Sequence, residues 1–245
     1  MASYRRHGVS LFRLSNIGVE LHPSSLRRTG RTPHRQDLLA LILNFLLCHP
    51  TFIEDAMDFI KQFESASLVP AGGAAAAYSF CLGVAMIYKV SLIENRKAVD
   101  RPELENNLSV LKKEIEKLLR DAEKLVTEDA EAYLQFRQSR RENDPQAMKQ
   151  AFSKAMDVSL KMIEKSFSAF EWIRQLQLII PKALFTHLRV ASELVMGSVN
   201  ATVHVVKDNI LEIRSEAKRE NYLSQIHMLH EKCKHNHFEI IDKLN

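Results

Sequence analysis

Four groupings of side chains in this sequence could do chemistry. Asp129 falls on an apolar helical stripe that steps through Ala122, Leu125 and Val126 and continues to Tyr133 and Phe136. A carboxylate on an apolar face loses hydration unless a partner compensates. Left unpaired, it has a raised pKa and suits general acid–base work. Paired with a cation from another helix, it is a buried salt bridge, and spacing leaves both open. The second grouping is the turn Pro70-Ala71-Gly72-Gly73 leading into Ala74–Ala77. Paired glycines let a backbone approach a ligand closely, and a helix N-terminus favours anions. The same pattern also serves plain close packing of an alanine-rich helix.

The third grouping is His187, Asn200 and His204 on one helical stretch. Asn200 and His204 are four apart and share a face. His187 lies about 220° round from Asn200 at roughly 100° per residue. Histidine titrates near neutral pH, but a histidine in a helix is more often simply packed. His204 belongs to no His-Glu-x-x-His pattern, and no metal site is expected. The fourth grouping, Arg96-Lys97, could bind an anion or stand in solvent.

Long helices must position these groups. The 245 residues contain only 7 Gly and 7 Pro, so turns are few and elements long. Phe52, Ala56, Phe59, Ile60 and Phe63 mark a first amphipathic helix ending near Ser67. From Gly73 to about Ser91 runs a nearly charge-free helix, buried or membrane-inserted. Its amphipathic neighbours favour burial. Asp100-Arg101-Pro102-Glu103 starts a long helix, striped by Leu108, Leu111, Ile115 and Leu118. Asn143-Asp144-Pro145 stops it and starts the next, which carries Ala151, Ile163, Phe170 and Trp172. Pro181 marks a break before Leu184–Val203. A last polar helix runs from about Glu216 to Lys243, with Tyr222, Ile226, Leu229, Cys233 and Ile240 inward. Strand alternation, hairpin dipeptides and internal repeats are lacking. The expected fold is all-α, an antiparallel bundle of long helices.

The net charge of +4 is unevenly spread. Residues 1–36 hold seven Arg, no Lys and one acid, Glu20, whereas residues 57–245 are nearly neutral. The body therefore gives no nucleic-acid signature. Cys48, Cys81 and Cys233 are scattered without a Cys-x-x-Cys pair, which fits a reducing compartment. Leu38–Cys48 is apolar but short of the ~20 residues a spanning helix needs. The basic start resembles a secretory or mitochondrial leader in part. The plainer reading takes 1–50 as a basic, poorly ordered extension, with Met57 an alternative start. Residues 51–245 form the helical domain.

The stretch from Phe59 to about Ile213 resembles the cyclodeaminase/methenyltetrahydrofolate cyclohydrolase family, the C-terminal module of formiminotransferase-cyclodeaminase. Pro70, Gly72, Gly73 and Ala75–Ala77 fall on that family's Pro-x-Gly-Gly-Gly-Ser-Ala-Ala-Ala turn. Asp129, Ala132 and Tyr133 fall on its Asp-x-x-Ala-aromatic signature. Arg96 and Lys97 match a basic pair, and Asn200 and His204 lie near an Asn-Val-x-x-Asn motif. The sequence departs at Ala71, Ala74, Ser159, Thr186-His187 and His204.

The resemblance implies a cytoplasmic helical homodimer with a folate site near the subunit interface. It implies chemistry at the one-carbon bridge of 5,10-methenyltetrahydrofolate or 5-formiminotetrahydrofolate. The folate is the substrate, and no cofactor, metal, nucleic acid or membrane is called for. Asp129, His187 and His204 become candidate catalytic residues. Pro70, Gly72, Gly73, Ala74, Arg96, Lys97, Tyr133 and Asn200 become candidate substrate contacts. The departures keep open an alternative, a catalytically lapsed helical dimer acting as a binding or scaffold module.

Overall fold

The computed structural model describes residues 60–67, 69–97, 102–211, 213 and 215–245. They form α1 (Gly72–Lys97), α2 (Pro102–Glu142), α3 (Pro145–Gln177), a short 3-10 turn (Lys182–Leu184), α4 (Phe185–Ile210) and α5 (Glu216–Leu244). Among the described residues there is no strand, so the described part of the chain is all-helical as expected. Residues 60–64 are also helical. That helix ends at 64, three residues short of the expected Ser67, while its expected start from Thr51 and every expectation for residues 1–50 lie outside the described residues.

The helix ends have local causes. Asn143 takes a left-handed backbone, φ 54°, a conformation that asparagine tolerates better than most residues. Asp144 then caps α3, its carboxylate accepting from the amides of Gln146 at 2.9 Å and Ala147 at 3.0 Å. Pro145 occupies the first turn, where its missing N–H costs nothing. At the other break, the Leu184 amide donates to the Pro181 carbonyl at 2.9 Å and opens the 3-10 turn. Helix α1 runs six residues past its expected end at Ser91, to Lys97. It continues because Leu92, Glu94, Arg96 and Lys97 are all good helix formers.

Helix α1 is the centre of the packing. It lies against α2, α3 and α4, and α5 closes over α3 and α4. By length and composition α1 is apolar enough to cross a membrane. Here its Ala77, Phe80, Val84, Ile87 and Val90 are fully buried within the core. Burying a side chain the size of Phe80 or Ile87 contributes about 1.5–3 kcal/mol. Of the stripe expected in α5, Ile226, Cys233 and Ile240 are buried, while Tyr222 and Leu229 pack at the margin.

One contact sets how closely α1 and α4 approach. A Cβ added to Gly83 would lie 2.7 Å from Val195 Cγ2 and 3.1 Å from the Ala191 carbonyl oxygen. Only glycine lets the two backbones meet there. One turn earlier, the Ser79 hydroxyl donates to the Leu194 carbonyl at 2.9 Å across the same seam. Helix α5 is tied on by polar contacts. Arg174 donates to Asn236 at 2.7 Å and Glu239 at 2.8 Å, and Ser192 bonds His237 at 2.9 Å.

Candidate functional site

The first turn of α1 meets α2 at Asp129. Gly73 is buried, and a Cβ built on it would lie 2.6 Å from the Asp129 Cγ. The carboxylate therefore fills the space that a side chain at position 73 would need. It accepts a hydrogen bond from the Ala74 amide, one of the N–H groups that a helix start leaves without an intrahelical partner. The next amide, of Ala75, is already turned into the helix and donates to the Ala71 carbonyl at 3.1 Å. Asp129 is thus held by a backbone amide, and no salt-bridging cation pairs with it among the described residues.

Burial pushes the Asp129 carboxyl up to about 6, against the pull of the Ala74 amide in the opposite direction. Near neutral pH it is mostly ionised with a minor protonated fraction, which fits it to take a proton and to return one. Tyr133, half-buried, stands one helical turn further along α2. Tyr78 stands one turn into α1 from Ala74, and burial raises its phenol above the ordinary value. The Cys81 and Cys233 thiols are pushed up to about 12 by burial, so they stay protonated and unreactive near neutral pH.

Helix α4 supplies the other neighbour of the α1 start. A Cβ on Gly72 would meet Val205 Cγ2 at 3.8 Å, an ordinary van der Waals distance. Gly72 is exposed and Pro70 half-buried. Val205 was not singled out from the sequence, since a valine in a helical run carries no chemical signal.

The remaining candidates are placed elsewhere. Arg96 and Lys97 close α1, roughly 35 Å from Gly73 at ~1.5 Å rise per residue. The structure therefore does not gather them with the Gly72–Ala74 turn. Asn200 and His204 are exposed on α4, and Asn200 is turned about 140° from Val205 at ~100° per residue. Asn200 faces α5, where its Oδ1 lies 2.7 Å from His230 Nε2. His187, half-buried near the start of α4, is about 25 Å along the axis from His204. Within one chain, Asp129, Gly73 and Ala74 come together with Tyr133 nearby. The histidines, Asn200 and the basic pair do not join them.

Two open grooves run along the α2–α3 seam, of about 330 and 510 Å3. The first is lined by Gln135, Gln138, Glu142 and Gln150. The second is lined by Glu128, Lys154, Asp157 and Lys161. Asp129 lines neither. Both are open and lined mainly by polar and charged residues, unlike the enclosed sites that bury small molecules. Among the described residues, no three His, Cys, Asp or Glu side chains are grouped to hold a metal ion.

A family model described as formiminotransferase-cyclodeaminase matches residues 55–228. The chain belongs to this family. The match takes in α1 to α4, and with them the Asp129 contact, and it stops within α5. Among solved structures, the chain is similar to formiminotetrahydrofolate cyclodeaminase from Thermotoga maritima, with a TM-score of 0.68 and 18% identity. That likeness covers 76% of this chain and 93% of the other, and it is a likeness of fold. No curated protein matches the chain.

Proposed function

We propose that this member of the formiminotransferase-cyclodeaminase family is a folate one-carbon enzyme. In this reading it acts on 5,10-methenyltetrahydrofolate or 5-formiminotetrahydrofolate, as a cyclohydrolase or a cyclodeaminase. The observation that carries the reading is the Asp129 carboxyl, lifted to about 6 and held by an amide at the start of α1. Both reactions pass through a tetrahedral carbon and need proton transfer at the one-carbon bridge. In the cyclohydrolase direction, ionised Asp129 takes a proton from the water that attacks the methenyl carbon. In the cyclodeaminase direction, it manages the protons of the nitrogen that attacks and the ammonia that leaves. A group whose pKa lies close to working pH serves both steps.

The Ala74 amide is committed to Asp129. The amides of Gly72 and Gly73 are then the donors for an electronegative edge of the folate, helped by the helix dipole. No cofactor enters this scheme, and the tetrahydrofolate derivative is the substrate. We take the helices to form an antiparallel bundle and the working unit to be a cytoplasmic homodimer. Asn200 faces α5 in its own chain, and His204 is exposed, so we take a contribution from them to the same folate to cross the subunit interface. His187 has no role in this reading.

The test is an assay of the full chain for loss of methenyltetrahydrofolate absorbance and for ammonia release from the formimino compound. Calorimetry with each folate and sedimentation of the free protein accompany it. Acceleration over buffer, abolished by Asp129→Asn, supports the reading. Neither turnover nor folate binding would overturn it in favour of a lapsed binding module. The alanine at position 74, which offers no hydroxyl beside Asp129, is what favours that second reading.

A further inference from the structure

The α4–α5 seam carries a contact that the proposed chemistry has not used. Asn200 is exposed, yet its carbonyl oxygen lies 2.7 Å from His230 Nε2 on α5. An exposed carboxamide is otherwise free to present either its oxygen or its NH2 group to solvent. With Oδ1 facing the ring, Nε2 carries the proton and the Asn200 Nδ2 points outward as a pair of donors. Helix α5 does not need this bond to stay in place. It is already packed through Ile226, Cys233 and Ile240 and tied through Arg174 and His237.

The surroundings favour a ligand with acceptor atoms. Lys207 reaches the seam from α4, and His227 and Lys234 reach it from α5, with Glu231 as the acid among them. Burial first, and then Lys234, Lys207 and His227, hold the His230 ring below the ordinary imidazole range. It is therefore a neutral donor at physiological pH, with the Nε2 proton fixed by its bond to Asn200.

We infer that His230 is a positioning residue: it holds the Asn200 carboxamide so that its NH2 group faces an acceptor atom, a carbonyl or carboxylate oxygen, of the folate. The inference rests on the reading of Asn200 as a folate contact. Because Asn200 lies away from Asp129 in its own chain, the folate it would contact is one shared across the proposed subunit interface, and α5 would enter that site through a residue beyond the stretch that the family model matches.

The test is a cycle on the full-length protein with Asn200→Ala, His230→Ala, the double variant and His230→Gln. Losing one aimed hydrogen bond to a ligand raises KM about tenfold and leaves kcat nearly unchanged. Both single alanine variants are expected to show that split, the double to be no worse than Asn200→Ala, and His230→Gln to recover most of the loss. The Asn200 side-chain NH2 signals in an 15N spectrum, assigned with Asn200→Ala, should shift in His230→Ala and return towards wild type in His230→Gln. An unmoved Asn200 signal, or a His230→Ala effect that multiplies with that of Asn200→Ala, overturns this inference and leaves the folate reading standing. A wild-type protein with no turnover and no folate binding overturns both.

Discussion

The Asp129 carboxylate stands where a side chain of residue 73 would be, and it accepts the amide of the following residue, Ala74. Glycine at 73 and the acid at 129 are thus two halves of one contact, 56 residues apart in sequence.

Gly73→Ala is expected to swing the carboxylate off the Ala74 amide. The displaced group is the end of a short side chain, so the fold should lose only about 1–2 kcal/mol, while turnover falls at least a hundredfold. Gly72→Ala, with Val205 at an ordinary 3.8 Å, should change stability by less than ~0.5 kcal/mol. Thermal melts and the absorbance assay on the two variants check this, and equal behaviour would count against the contact.

Asp129 also sets a pH dependence. Its carboxyl is lifted from 3.8 in the reference state to about 6 in the fold. Between those values the folded protein binds more protons than the unfolded one, so stability falls as pH rises through the window. The penalty is complete above about 6 and absent below about 4. Asp129→Asn should therefore be the more stable protein at pH 8, and its advantage should fade towards pH 4. Activity should rise in wild type through about pH 6 and be lost in the variant. Denaturant titrations at both pH values, with a pH–rate profile, test the two halves separately.

The α1–α4 approach is a matter of stability alone. At Gly83 an added methyl meets Val195 Cγ2 and the α4 backbone, and backbone does not swing aside. Gly83→Ala should cost about 1–3 kcal/mol, a fall in Tm of roughly 2–4 °C per kcal/mol for a chain of this size. Val195→Ala should recover part of the loss in the double variant, because the two sites share one contact.

At the α2–α3 turn, Asp144→Ala removes the acceptor of two amides. A lost N-cap costs about 1 kcal/mol. Asp144→Ser should keep most of it, and folate turnover should be unaffected in both variants. Urea unfolding midpoints give the measurement.

Much of this architecture was legible because its punctuation is local. Asn143-Asp144-Pro145 and Pro181 carry their own backbone restrictions, and those breaks fall where they were expected. Asp129 stood out for the same reason, as an acid on an apolar stripe. Its partner did not, because an amide 55 residues away leaves no mark on the pattern around 129. The end of α1 was less legible. Ending the apolar helix at Ser91 hid the fact that one unbroken helix carries Arg96 and Lys97 a full helix length from Gly73. The His230–Asn200 contact left no mark in the sequence, because a histidine among Lys, Glu and Asn reads as solvated surface until α4 is laid beside it.

Helix α2 is 41 residues long and α1 only 26, roughly 60 Å against 40 Å at ~1.5 Å per residue. Because Asp129 is level with the first turn of α1, residues 130–142 continue some 20 Å past it, with Gln135, Gln138 and Glu142 across a groove from Ala147 and Gln150 of α3. Ala132 and Ser139 are buried within that stretch, but most of its seam is lined by polar side chains, so fraying starts most readily at this end. The clamp at Gly73 and Ala74 sits at its root. Fraying that starts at the free end meets this anchor before it reaches the Asp129 carboxylate.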